Sequence, residues 1–400
     1  MKKILIMLLV IFLTGCARNN SYDVITEIRG QSPEPQHYHK EKYNDSYRPI
    51  NYERQKAMWI SYIDLAPILS LENAEDFRKG FNAVCDDISE LGCNTIYVHV
   101  RAFGDAIYDS VIFPQSEYFC GDYDPLEIIC ETAHSFGLSV HAWINPLRLQ
   151  TAEELSRHSG YQTAEWFLNA DSQVSFSDEN GYLWLDPAFP EVRKLIADGA
   201  YEIVDNYDVD GLHYDDYFYP TTDKLFDAEC YSETNCAKDL DEWRRENITD
   251  MCRLIYKRVK DADVCAEVSI SPQGNIENNF SKLYADVEEW CCQEGICDRI
   301  IPQIYYGYND AVKPFISTLQ EWQDLCKCGY VSLNIGLGVY KIDSDDEFNG
   351  NVGIIGNQIN DCKSCQGISL YTYSSLFGSN RNNERMIEER KAISEALVKY

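Results

Sequence analysis

From residue 57 to the C-terminus, short apolar segments alternate with segments of helical spacing. The strand-like runs cover 57–63, 93–100, 138–144, 209–215, 266–271, 299–305, 331–337 and 367–373. Helical spacing is found at 77–91, 124–136, 190–206, 243–260, 281–292, 312–326 and 383–398. Consecutive strands joined through a helix must run parallel, because an antiparallel pair needs only a tight turn. Eight such units in series predict an α/β fold, the (β/α)8 or TIM barrel, with its site at the C-terminal ends of the strands. The chain from 57 onward exceeds the roughly 250 residues of a typical barrel. The surplus falls at about 147–185 and 218–242, which are read as loop insertions walling a groove. One catalytic domain, 56–400, is therefore expected.

Side chains alternate across a strand, so each run can be split into two faces. Tyr97, His99 and Arg101 share one face of the second strand, and Ile96, Val98 and Val100 the other. His141, Trp143 and Asn145 oppose Val140, Ala142 and Ile144 in the third. His213 and Asp215 oppose Leu212 and Tyr214 in the fourth, and Gln303 and Tyr305 oppose Pro302 and Ile304 in the sixth. Unpaired buried polar groups are costly. Polar residues turned inward on several neighbouring strands therefore point to a site at the barrel mouth.

The densest part of that pattern is His213-Tyr214-Asp215-Asp216-Tyr217-Phe218-Tyr219-Pro220. Two adjacent carboxylates end a strand among aromatic rings. Carboxylate pairs perform acid/base work on glycosidic bonds, and aromatic faces stack on sugars. Strict alternation would send Asp215 and Asp216 to opposite faces, so both reach one site only if the strand ends or bulges there. Trp59, Trp143, Tyr217, Tyr219 and Tyr306 are candidate sugar platforms.

Lys2 and Lys3 precede an apolar run of about ten residues, too short to span a bilayer core of about 30 Å, and Leu13-Thr14-Gly15-Cys16 follows. This reads as a lipoprotein signal peptide over 1–16, with Cys16 lipidated and the protein exported and anchored to the membrane by that lipid. The polar stretch 17–55 is read as a flexible tether. A formal net charge of −30 excludes nucleic acid as a partner, since binding it needs a basic face. The expected partner is a polysaccharide. Of the 16 cysteines, Cys291-Cys292, Cys326-x-Cys328 and Cys362-x-x-Cys365 suit disulfides or metal ligands. Most of the others lie in apolar runs, where thiols behave as small hydrophobes. No pair of CxxC motifs has zinc-ribbon spacing, so no metal and no cofactor is expected.

Several stretches resemble one known family. They are Ala57-Met58-Trp59-Ile60, Tyr97-Val98-His99-Val100-Arg101 with Gly104-Asp105, Tyr123-Asp124-Pro125-Leu126, Ala133-His134 and His141-Ala142-Trp143-Ile144-Asn145-Pro146. They continue in order with Leu185-Asp186-Pro187, Pro190-Glu191-Val192-Arg193, residues 213–220, Trp243-Arg244-Arg245-x-Asn247, Ser271-Pro272, Pro302-Gln303-Ile304-Tyr305, Ile335-Gly336 and Tyr340-Lys341-Ile342. Together they resemble the bacterial glycosyl-hydrolase-like family ten, barrel proteins often exported as lipoproteins. The resemblance implies hydrolysis of glycosidic bonds, and some relatives are implicated in cleaving peptidoglycan glycan strands stripped of stem peptides. The chain departs from the family pattern at Ala102, Asp186 and Gln273, where proline, asparagine and phenylalanine are usual.

A retaining barrel commonly ends its seventh strand with a carboxylate nucleophile. Here that position offers Lys341 and then Asp343, neither convincing. Adjacent aspartates at the fourth strand resemble substrate-assisted N-acetylhexosaminidases instead. In those enzymes one aspartate orients the substrate acetamido group, and its neighbour protonates the leaving oxygen. The expected assignment is Asp216 as acid/base and Asp215 as the orienting group, or the two exchanged. Arg101, Asp105, His141, Trp143, Asn145, His213, Tyr217, Gln303, Tyr305 and Tyr340 are expected to contact substrate. Asp64 and Asp105 are spare acids for an inverting alternative. Three other readings remain open at this point: a hydrolase of another capsular or host polysaccharide, a non-catalytic sugar-binding lipoprotein, and a metal-dependent amidohydrolase using His99, His141 and His213.

Overall fold

The computed structural model describes residues 47–234 and 236–400. Its strands are β1 (Gln55–Ile60), β2 (Thr95–Arg101), β3 (Ser139–Ile144), β4 (Arg148–Thr151), β5 (Val174–Ser177), β6 (Tyr182–Leu185), β7 (Gly211–Tyr214), β8 (Glu267–Ile270), β9 (Arg299–Ile300), β10 (Ser332–Gly338) and β11 (Gly367–Tyr371). Eight of them close a parallel barrel, running β1-β2-β3-β7-β8-β9-β10-β11 and back to β1. The other three form an antiparallel sheet, β4-β6-β5, inside the first expected insertion. The (β/α)8 expectation holds, and each barrel strand lies beside its neighbour in the chain.

The two faces of each strand build two cores. Ile96, Val98, Val140, Ala142, Leu212 and Tyr214 point outward and pack with the surrounding helices. Ala57, Trp59, Tyr97, Trp143 and Ile301 fill the barrel itself. The helix Ala74–Leu91 shows how the outer layer forms: Asn73 caps its start, and Phe77, Phe81, Val84, Ile88 and Leu91 bury one stripe. Gly92, at φ 101°, ends it in a left-handed turn that a side chain would resist. Pro125 and Pro190 sit in the first turn of their helices, where the missing N–H costs nothing.

The N-terminal end of the barrel interior is closed by a polar network that the strand patterns did not announce. Arg299 donates bidentately to Glu267, at 2.8 and 3.0 Å, and also donates to Asn334 Oδ1 at 2.7 Å. Asn334 Nδ2 and Tyr97 Oη donate to Gln55 Oε1, and Gln55 Nε2 donates to Glu267. The ion pair holds Glu267 below the usual carboxylate range, against its burial. Each buried polar atom named here has a partner, which makes such a layer tolerable.

Three expectations change. Residues 47–55, read as the end of the tether, are held against the body. Asp210 accepts from Tyr47 Oη and the Ile50 amide, as well as from His134 Nε2 at 3.0 Å and Val140 N at 2.6 Å. A buried carboxylate needs donors wherever they come from, and this one takes them from the approaching chain. The helix expected at 281–292 is two, Ile276–Lys282 and Val287–Cys292, broken where Tyr284 adopts a φ of 54°. A helix not expected, Ile354–Asp361, completes the unit between β10 and β11. The signal segment, Cys16 and the tether up to residue 46 lie outside the described residues. Among the described residues, no helix is long and apolar enough to cross a membrane. Cys291 and Cys292 face Cys326 and Cys328, with Sγ–Sγ distances of 3.5 and 2.6 Å.

Candidate active site

A cavity of about 620 Å³ opens at the C-terminal ends of the barrel strands. Asp215 and Asp216 both line it. They can do so because β7 ends at Tyr214, so the chain leaves strand geometry before the two carboxylates are placed. Asp215 is 4 % exposed. Its Oδ2 accepts from Trp143 Nε1 at 3.1 Å, and its Oδ1 is buried without a hydrogen-bond partner. Asp216 is partly exposed and accepts from Gln303 Nε2 at 3.1 Å; Gln273 gives it a second side-chain hydrogen bond.

Burial raises both carboxyl groups above their ordinary range. For Asp215 the charge of Asp216 adds to burial and carries it well above. The Gln273 and Gln303 amides pull the other way at Asp216, as the Tyr217 backbone N–H and the Trp143 indole do at Asp215, because each stabilises a charged form. Burial acts on both, and the charge of Asp216 falls on Asp215, so of the two carboxyl groups Asp215 holds its proton the more readily.

Aromatic rings form the walls. Trp59 and Trp143 rise from β1 and β3; His99 stacks on Trp143 with centroids 3.7 Å apart and planes 9° apart. Tyr305 and Tyr371 stack at 5.7 Å, and Tyr340 meets both edge-on. A Cβ at Gly338 would lie 3.0 Å from Tyr305, so the strand passes close beneath that ring. The insertions supply the outer wall: Trp184 of β6 stacks on Tyr217, and Arg148 of β4 and Tyr219 also line the cavity. Burial raises the Tyr305 hydroxyl well above its ordinary range, with the neighbouring tyrosines and both aspartates adding to it. It is therefore a hydrogen-bond donor, not a base.

Of the residues expected at the site, Asp215, Asp216, Trp143, Asn145, Tyr217, Gln303, Tyr305 and Tyr340 line the cavity. Four do not. Arg101 is turned outward: the β2–β3 register shifts between His99 and Arg101, which reverses its face. Its guanidinium lies over Phe113, 4.2 Å from the ring centroid, and in reach of Gly199 on the helix Pro190–Asn206. Asp105 is buried in the loop after β2 and accepts from Phe103 N at 2.9 Å. His141 lies in the barrel interior, edge-on to Tyr97 and close to Gly211, below the cavity.

His213 is also below, and its hydrogen bonds define its state. Trp59 Nε1 can only donate, and it lies 2.9 Å from His213 Nε2, so that nitrogen is unprotonated. The proton is then on Nδ1, donated to Ser269 Oγ at 2.8 Å. Burial lowers the imidazole well below its ordinary range. His213 is thus a neutral post under Trp59, with neither nitrogen free for a metal. Asp64, the spare acid, caps the helix Tyr62–Leu69 through Ser61 and also accepts from Ser374 N and Thr372. Of the platforms, Trp59, Trp143, Tyr217 and Tyr219 line the cavity and Tyr306 does not. The sequence reading did not assign Tyr62, Trp184, Arg148 or Tyr371 to the site. Tyr62, two residues past β1, and Tyr371, the last residue of β11, are findable as aromatics at the C-terminal end of an apolar strand, whereas Arg148 and Trp184 depend on a sheet without a clear pattern.

A closed (β/α)8 barrel with a carboxyl pair and aromatic walls at its C-terminal rim has the architecture of a barrel glycoside hydrolase. The chain belongs to the glycosyl hydrolase-like 10 family, whose model matches residues 55–351. It is 30 % identical over 330 residues to glycosyl hydrolase YngK of Bacillus subtilis, a match covering 72 % of this chain and 61 % of that protein. The chain thus spans less than two thirds of that relative. It is 28 % identical over 341 residues to glycosyl hydrolase DigH of Escherichia coli K12, covering 75 % and 77 %. Among solved structures, the glycoside hydrolase domain of PgaB (BpsB) from Bordetella bronchiseptica superposes with a TM-score of 0.58 at 11 % identity, over 85 % of this chain and 99 % of that one. The endo-1,4-beta-mannanase of Rhizomucor miehei gives 0.55 at 9 % identity, over 89 % and 99 %. These two likenesses concern the fold.

Proposed function

We propose that this protein hydrolyses a cell-envelope polysaccharide built from 2-acetamido sugars, namely peptidoglycan glycan strands freed of stem peptides. The observation that carries this reading is the carboxyl pair itself: two adjacent acids reach one cavity, and the deeper one has an unpartnered oxygen. A sugar acetamido N–H donating to Asp215 Oδ1 would satisfy that orphan and stabilise the Asp215 anion. The proton of the pair then passes to Asp216, the carboxyl open to the cavity, which protonates the leaving oxygen. The acetamido oxygen attacks the anomeric carbon as that bond breaks, and Asp216 next deprotonates the water that opens the resulting ring. Tyr305, which lines the cavity with its hydroxyl protonated, would donate to the acetamido oxygen. The missing nucleophile at the end of β10 agrees with this scheme, since the substrate supplies its own.

The test is digestion of peptide-free strands beside the same strands after N-deacetylation, with products followed by mass spectrometry. Oligosaccharides from the acetylated strands alone are the expected result. Equal cleavage of both would overturn the acetamido step, and binding without cleavage would make the protein a sugar-binding lipoprotein. We further propose that Cys16 carries a lipid anchor holding the enzyme outside the cytoplasmic membrane, supported by Leu13-Thr14-Gly15-Cys16. Cys16→Ala is expected to abolish incorporation of a labelled fatty acid.

A further inference from the structure

Arg148 is the one lysine or arginine among the described residues lining the cavity. Its side chain is 11 % exposed, a degree of burial at which a cation ordinarily has a close anionic partner. This one does not. Its nearest carboxylate oxygen, Asp178 Oδ2, is 4.0 Å from Nε, and Nε makes no hydrogen bond. Asp178 is committed elsewhere: Oδ1 accepts from the Asn180 and Tyr182 amides, and Oδ2 accepts from Trp184 Nε1 at 3.3 Å. The contact of Arg148 Nη1 with Tyr217 Oη is a long 3.4 Å. What fixes the guanidinium is a cage of rings, Phe103, Tyr182 and Tyr217, with centroids 4.8, 4.3 and 5.1 Å away. Rings hold the cation in place without neutralising it.

A rigid, under-paired guanidinium in a cavity that also contains two carboxyl groups has one obvious complement. A planar anion can take its free N–H groups in a fork. We infer that Arg148 is a specificity residue for a carboxylate on the glycan, bound beside the sugar that Asp215 and Asp216 engage. This deepens the proposed function and rests on it. On a peptidoglycan strand the lactyl group of muramic acid bears a free carboxylate only after the stem peptide has been cut away. While the peptide is attached, the same carbonyl belongs to a neutral amide with a bulky continuation. Arg148 would therefore read removal of the peptide directly as the appearance of charge. A uronic acid residue would present the same chemistry from another source.

Binding, measured by calorimetry on the Asp216→Asn protein so that nothing turns over, keeps this inference separate from the catalytic reading. The probes are a peptide-free peptidoglycan tetrasaccharide, the same compound with its lactyl carboxyls converted to methylamides, and a uronate–N-acetylhexosamine tetrasaccharide. The expected result is roughly tenfold or greater preference for the lactyl carboxylate over the methylamide, in line with a charge-assisted fork. That preference should disappear when Arg148→Gln is added and return in part with Arg148→Lys. Tighter binding of the uronate would keep the carboxylate site but replace the lactyl source. Equal affinity for carboxylate and methylamide would overturn the inference, as would a preference that survives Arg148→Gln. If carboxylate-dependent binding holds while wild-type protein cleaves no strand, the catalytic reading fails and the Arg148 site stands.

Discussion

Asp215 and Asp216 differ by one position and meet different surroundings, and that difference is the core of the site. Asp215 is enclosed and next to a second acid; Asp216 is partly open and hydrogen-bonded by two amides. Gln273 stands where the resembling family usually has phenylalanine, and its amide favours the charged form of Asp216. Replacing Gln273 with Phe removes that stabilisation, so the Asp216 pKa rises. The pH–rate profile of the variant should move to higher pH, and an unmoved or lowered optimum would contradict the assignment. Asp215 also bears on stability. Its folded pKa lies above the unfolded value of about 3.9, so the folded state retains a proton that the unfolded chain releases. Stability contributed by this group is full at low pH and falls as pH rises toward the folded pKa. Asp215→Asn is therefore expected to melt higher than wild type near neutrality, with the gap shrinking as pH falls towards 4. A variant melting lower at every pH would contradict this. The two acids were legible in the sequence because adjacent charges are out of place at the end of an apolar strand. Arg101 was misplaced for an equally local reason: alternation assumes an unbroken register, and one bulge reverses everything after it.

At the level of elements, strands and helices were legible where their period was long and clean. The helix Pro190–Asn206 matches its expected bounds. The sheet of β4, β5 and β6 was not legible. Each of its strands has four residues, too few for alternation to register, yet it carries Arg148 and Trp184 into the cavity. The Glu267–Arg299 network escaped notice because its partners come from five strands and meet only once the barrel closes. Breaking it should be costly. Glu267→Gln leaves Arg299 buried without an anion, an effect of about 3–5 kcal/mol. The sign with pH follows from the lowered Glu267 pKa. Its contribution is present above the unfolded carboxyl value of about 4.3 and is lost as pH falls through the lower folded value. Urea unfolding should show a large wild-type advantage at pH 7 that narrows below pH 4. A constant gap would mean that the charge is not what matters.

For the molecule as a whole, the barrel could be read in advance because eight strand–helix units in series leave few alternatives, and closure satisfies every strand edge. Chemistry followed from the barrel rule that strand ends carry the site. Depth did not follow from it: His141 and His213 face inward as expected but lie beneath the cavity, one layer too low to touch a substrate. A sequence gives the face of a strand more readily than the height along it, because height depends on strand tilt and on where each strand ends. The formal net charge of −30 and the lipid anchor proposed at Cys16 would suit an enzyme held at the envelope and acting on a polymer that comes to it.

The central claim is that the adjacent pair performs the chemistry, and the rate of saccharide release from peptide-free glycan strands tests it most directly. Wild type, Asp215→Asn and Asp216→Asn should be compared at equal folded concentration. The account predicts that each variant loses about 10²–10⁴ of the wild-type rate, the range for an acid/base group, while still binding the strand. Either variant releasing saccharide within twofold of wild type would show that the chemistry is done elsewhere.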